Sequence, residues 1–186
     1  MSEGNSASSL DEAEDLGEDG STTLSICRGH GERSFQDEDS IKKHLNKKMA
    51  RINSFSSLNC ANSTLYYEAS NYLAELIKTK GTRPLEKVEL SGAFYEHGVM
   101  EPEEIAQSID TFFDALEIVG AKEIALSDTT LNQSSAESIA SSFRGMHMLQ
   151  ILDLNETLIR KEGSIRIAES LVSSNIRLKT LLINNG

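Results

Sequence analysis

The sequence predicts an α/β fold of stacked strand–helix units, and three observations carry that prediction. An apolar template returns along the chain at a nearly constant interval. Within each return the apolar spacing switches from two residues to four. A separate strand, turn and helix signal precedes the first return.

The template is clearest at Leu149, Leu152, Leu154 and Ile159, and it starts again at Leu178, Leu181 and Ile183. Earlier copies fall at Ala121, Ile124, Leu126 and Leu131, at Leu85, Val88, Leu90 and Tyr95, and at Phe55, Leu58, Cys60 and Leu65. The shifts between first positions are 30, 36, 28 and 29 residues. In the L-x-L centre of each copy, alternate side chains of a short strand share one face. In the second half, Leu73 and Ile77, Ile139 and Phe143, and Ile167 and Leu171 are each four apart, which places one apolar stripe on a helix covering the strand. Such a unit cannot bury its apolar face alone, so each copy supplies the core of the next. These are the features of a leucine-rich-repeat solenoid of the ribonuclease-inhibitor type, with parallel inner strands and outer helices.

The reading predicts strands near residues 56–60, 86–90, 122–126, 150–154 and 179–183, and helices near 66–79, 102–118, 134–144 and 163–173. Gly163 is expected in the turn before the last helix. The copy starting at Leu85 is the longest, and its extra residues fall between Tyr95 and a helix opened by Pro102, a residue suited to the first turn. Glu103 and Glu104 suit the positive end of that helix dipole. After Leu181 and Ile183 the chain stops without a helix, an open apolar edge of the kind proteins cover, so the sequence is expected to be the N-terminal part of a longer molecule or of a truncated gene.

Upstream, Leu24 and Ile26 signal a short strand, the stretch CRGHGER a turn, and residues 35–48 a helix opening on a Ser34-Phe-Gln-Asp37 capping box. Lys42, Lys43, His44, Lys47, Lys48 and Arg51 gather toward the end of that helix, where cations favour the carbonyl end of the dipole. The first 22 residues hold Glu3, Asp11, Glu12, Glu14, Asp15, Glu18 and Asp19 with no Lys or Arg. They account for most of the net charge of −11 and leave −4 on the rest. A segment so acidic and so poor in apolar residues is expected to be a disordered tail. The predicted organisation is therefore an acidic tail over 1–22, a cap strand and helix over 23–54, and repeats over 55–186, cut short in the fifth.

Composition narrows the function. An acidic chain does not offer the clustered cations that phosphate binding needs, which argues against a nucleic-acid partner. Cys27 and Cys60, without CxxC spacing or paired His, fit a reduced intracellular chain with no structural zinc. No apolar run approaches the length of a membrane span, and no secretory signal pattern is present. The sequons at Asn62, Asn132 and Asn155 then read as chance matches. Gly29-His-Gly31 lacks the residues of a phosphate loop. His30, His44, His97 and His147 are scattered and no nucleophile phrase accompanies them, so neither an active site nor a metal, cofactor or small-molecule substrate of its own is expected.

Three stretches, SICRGHGERSFQDEDSIKKHL, FSSLNCANSTLYYEASNYLAELI and LEKVELSGAFYEHGVMEPEEIAQSIDTFFDAL, together resemble the opening of the repeat domain of Ran GTPase-activating proteins, especially the plant type. The resemblance covers about residues 24–186. It implies a regulator of a GTPase rather than an enzyme: a protein that binds Ran and accelerates its GTP hydrolysis in nucleocytoplasmic transport, in the cytoplasm or at the nuclear envelope. In that family the activator supplies no arginine finger. Loops at the edge of the repeats order the switch region so that Ran's own glutamine orients the attacking water. A family Asn that follows the third strand in a Ser-Asp-Asn phrase corresponds here to Thr129, after Ser127 and Asp128, and a family Arg in the inserted segment corresponds to Glu101. Carried over by position, the partner-binding residues are Asp128, Thr129, Glu156, Thr157, Asn184 and Asn185; the catalytic residues stay unassigned. The two departures also admit a catalytically weakened relative, or a repeat scaffold that holds another protein without catalysis.

Overall fold

Leu24, Leu58, Val88, Ile124, Leu152 and Leu181 stand side by side in one row, each the register partner of the next on a parallel strand. That row organises the computed structural model, which describes residues 22–27, 33–94 and 100–184. The chain runs β1 (Thr23–Ser25), β2 (Arg33–Phe35), α1 (Glu38–Met49), β3 (Ser57–Asn59), β4 (Ser63–Leu65), α2 (Tyr67–Lys80) and β5 (Leu85–Glu89). It continues with α3 (Pro102–Val119), β6 (Ala121–Ala125), α4 (Gln133–Ser142), β7 (Ile151–Asp153), α5 (Lys161–Ser173) and β8 (Thr180–Leu182). The result is an α/β fold with five helices among the described residues and a six-stranded parallel sheet in the order β1-β3-β5-β6-β7-β8. From β3 onward the helices follow the strands in turn, and α2 packs on α3, α3 on α4 and α4 on α5.

Alternation explains the burial. Leu58, Val88, Ile124 and Leu152 face the helices and are buried, as are Cys60, Leu90, Leu126 and Leu154 two residues on. The helix stripes close the same space with Leu73 and Ile77, Ile109 and Phe113, Ile139 and Phe143, and Ile167. All six phenylalanines are buried, and Phe94 meets Phe112 edge to face at 5.8 Å between centroids. The phenylalanines are thus spent in the core, while Tyr67 is exposed. At β8 the pattern is kept but not covered: Leu181 is 43% exposed and Ile183 51%.

The structure corrects three local expectations. Ser34 is not a helix cap; it lies in β2, which pairs with β4 in a second, two-stranded parallel sheet (Phe35 opposite Leu65) that the apolar template does not announce. The cap of α1 is Asp37, whose Oδ1 accepts from the Ser40 amide at 2.7 Å, because the strand holds Ser34 too far upstream. Gly163 is not in a turn but inside the first turn of α5 and buried. A Cβ there would meet Ala136 Cβ and Ile159 Cγ2, both at 2.9 Å, so the missing side chain lets α5 approach α4. Pro102, by contrast, opens α3 as expected, with Glu103 and Glu104 in its first turn. The tail over residues 1–21, Tyr95, His30, His97 and Asn185 lie outside the described residues. No helix among the described residues is long and apolar enough to cross a membrane.

Candidate functional site

Where each strand ends, its backbone keeps pairing through the following turn. The amides of Cys60, Leu90, Leu126 and Leu154 donate to Glu89, Ala125, Asp153 and Leu182 of the next unit at 2.8–2.9 Å. Two residues on, Asn62, Gly92, Asp128 and Glu156 donate to Ser91, Ser127, Asn155 and Asn184 at 2.7–3.2 Å. These four turn residues all have positive φ, at 54°, 69°, 54° and 53°. Asn, Gly and Asp adopt that conformation at little cost; Glu156 adopts it because the hydrogen bonds on either side hold the turn. The repeated geometry lines up Asn62, Asp128 and Glu156 as exposed side chains along one edge of the sheet, followed by exposed Asn184.

The next residue in each turn points the other way. Ser63, Ala93, Thr129 and Thr157 are buried, and the three hydroxyls among them close their own turns. Thr157 Oγ1 donates to the Leu154 carbonyl at 2.8 Å, Thr129 Oγ1 to Ser127 at 3.3 Å and Ser63 Oγ to Ala61 at 3.4 Å. Of the predicted contact residues, Asp128, Glu156 and Asn184 therefore form one exposed ridge. The side chains of Thr129 and Thr157 belong to the framework beneath it.

Polar residues on the open face of the sheet brace this ridge. Asn59 Oδ1, Glu89 Oε1 and Asp153 Oδ1 accept from the amides of Ala61, Ser91 and Asn155 at 3.0, 3.2 and 2.9 Å. Glu89 also accepts from the Ser91 hydroxyl. Lys87 bridges Glu123 at 2.9 Å and Glu89 at 3.4 Å, while Lys122 bridges Glu86 at 2.6 Å. The Glu123 carboxylate hydrogen-bonded to Lys87 holds its ammonium above the usual lysine range. The open face thus carries charges of both signs, with each of these lysines paired to carboxylates on the same or the neighbouring strand.

Glu101 is the exposed N-cap of α3 and makes no side-chain capping bond. Its carbonyl accepts from the Glu104 and Ile105 amides at 3.0 and 3.1 Å. The link from there to the ridge is Asn132. Its Nδ2 donates to the Pro102 carbonyl at 3.1 Å and its Oδ1 accepts from the Ser135 amide at 2.8 Å, tying the start of α3 to the start of α4. Glu101 and Asp128 are so brought to the same end of the fold. A cleft of about 500 Å³ opens beside Pro102, Thr130, Asn132, Leu158 and Arg160. Sequence reasoning passed over Asn132 except as a sequon; an Asn three residues before Ser135 at a helix start is the capping signal that finds it.

Chemistry of other kinds finds little footing. Burial pushes both thiols up, Cys60 strongly, so neither is a poised nucleophile. His147 is exposed in a turn, and the His44 ring lies 5.4 Å from that of Phe35. Among the described residues no three His, Cys, Asp or Glu side chains gather as metal ligands would. No family model matches the chain, and no curated protein matches it.

Proposed function

We propose that the chain is a leucine-rich-repeat solenoid of the ribonuclease-inhibitor type whose strand-end ridge docks a protein, and that this protein is the small GTPase Ran in its GTP-bound form. The observation that carries the docking reading is the row of positive-φ turn residues, Asn62, Gly92, Asp128 and Glu156, which fixes exposed polar side chains on a paired backbone. A surface held this way loses little conformational entropy when a partner arrives. Ran is the partner that the resemblance of residues 24–186 supplies, and with it a place in the cytoplasm or at the nuclear envelope.

Activation of GTP hydrolysis is weakened in this reading. Thr129, at the family's Asn position, is buried, and Glu101 brings a negative charge where the family has an Arg. The same two facts favour the second reading, a scaffold that binds without stimulating hydrolysis. Titration of Ran-GTP, followed by single-turnover hydrolysis, separates them. Asp128→Lys with Glu156→Lys is expected to weaken binding at least about tenfold, a loss of about 1.4 kcal/mol, whereas Glu169→Lys on α5 leaves it unchanged. Thr129→Asn with Glu101→Arg is expected to raise the hydrolysis rate at least about tenfold. Binding without any rate gain in either form selects the scaffold, and no binding at all removes Ran.

A further inference from the structure

Five cationic or titratable side chains of α1 and its C-terminal end share one stripe. Lys43, Lys47 and Arg51 are spaced four apart, with His44 and Lys48 in the adjoining line. The stripe borders a groove of about 430 Å³ that Phe35, Lys43, His44, Lys47 and Lys48 help to line, and no acidic residue lines it. Of the two acids of α1, Glu38 pairs with Lys42 at 2.5 Å, and Lys42 faces α2, its Nζ 5.4 Å from the centre of the Tyr72 ring; Asp39 lies one turn before Lys43 at the opening of the same row, outside the lining of the groove. Among the described residues, Lys43 and Lys47 are exposed and have no carboxylate within ion-pair distance.

The described chain starts beside this stripe. The Thr22 carbonyl accepts from the Ser56 amide at 2.9 Å, which puts the start of β1 five residues along the chain from Arg51. The Lys48 ammonium donates to the Ser25 carbonyl at 2.9 Å, which fixes the end of α1 against the same strand. The 21 residues before Thr22 carry seven carboxylates and no Lys or Arg, and six of those carboxylates fall between Asp11 and Asp19. Nine residues reach up to about 30 Å when extended. The stripe from Arg51 to Lys43 covers about 12 Å of helix.

We propose that the basic stripe of α1 is a docking surface for the chain's own acidic N-terminal segment, residues 1–21. Charge complementarity selects this occupant, and the short tether raises its local concentration to about the millimolar range. Single exposed ion pairs contribute little, so the contact depends on several acting together and on low screening. The Debye length falls from about 10 Å at 0.1 M salt to about 3 Å at 1 M, where the attraction is lost.

Backbone-amide spectra of the full chain test the proposal. A second full-length chain carries Asp11→Asn, Glu12→Gln, Glu14→Gln, Asp15→Asn, Glu18→Gln and Asp19→Asn. At 20 mM salt the two chains are expected to differ along residues 43–51; at 1 M salt the difference disappears. In a background of Lys43→Glu with Lys47→Glu the difference is expected to be absent at either salt concentration. No difference along α1 at low salt overturns the proposal, as does a difference confined to another surface. A difference that grows with protein concentration overturns it in favour of the segment of a second copy. Retention on heparin that needs Lys43 and Lys47, with no dependence on the N-terminal acids, overturns it in favour of an external polyanion.

Discussion

Leu152 and Leu181 are register partners with the same side chain, yet one is fully buried and the other 43% exposed. Replacing Leu152 with Ala empties space between two strands and the helices above them, and is expected to lower stability by about 2–5 kcal/mol in chemical denaturation. Leu181→Ala, with water already on one side, is expected to cost at most about 1 kcal/mol. Equal losses would show that β8 is as enclosed as β7. Cys60 gives a second test at this scale. Its buried thiol stays protonated while the unfolded chain ionises from about pH 8.5 upward, so the unfolded state gains as pH rises. The stability present below pH 8.5 should therefore fall as pH climbs toward the raised folded-state value. Cys60→Ala should flatten that part of the pH profile; an identical slope in both proteins would assign it to other groups.

Among the elements, α5 is seated by the absence of a side chain. Gly163→Ala adds helix propensity worth about 1 kcal/mol, but it also drives a methyl into Ala136 and Ile159 at 2.9 Å. Overpacking of this kind outweighs propensity, and a net loss of about 1–2 kcal/mol is expected in thermal or chemical unfolding. A gain would mean that α5 slides away from α4 at no cost. Gly163 also shows how element ends escape sequence reasoning. A glycine before an apolar stripe reads as a turn, and only the packing of α4 reveals it as helix. The elements of the recurring template were legible because period two and period four each bury a row of side chains: β3, β7 and β8 fall within the predicted ranges, and β5 and β6 begin one residue before theirs. The pair β2 and β4 was not, because its strands, joined through Phe35 and Leu65, stand outside the recurring template that marks the equally short β3, β7 and β8. In the candidate site, Asp128, Glu156 and Asn184, carried over by the resemblance, lie exposed at strand ends. Position alone did not distinguish them from buried Thr129 and Thr157, since one residue decides which side of a turn a side chain takes.

Across the whole molecule, one parallel sheet and its helices present three chemically different surfaces. The open sheet face carries the Lys87–Glu123 and Lys122–Glu86 pairs, the ridge of strand-end turns offers Asp128 and Glu156, and α1 carries the basic stripe. The ridge is the surface on which the functional reading stands, because its side chains are exposed while its backbone is paired from Asn62 to Asn184. The most direct test is a backbone-amide map of the full chain titrated with GTP-bound Ran. Changes concentrated at residues 127–128, 155–156 and 183–184, absent with GDP-bound Ran, are the predicted result; no change, or changes confined to the outer faces of α2 to α5, would contradict it.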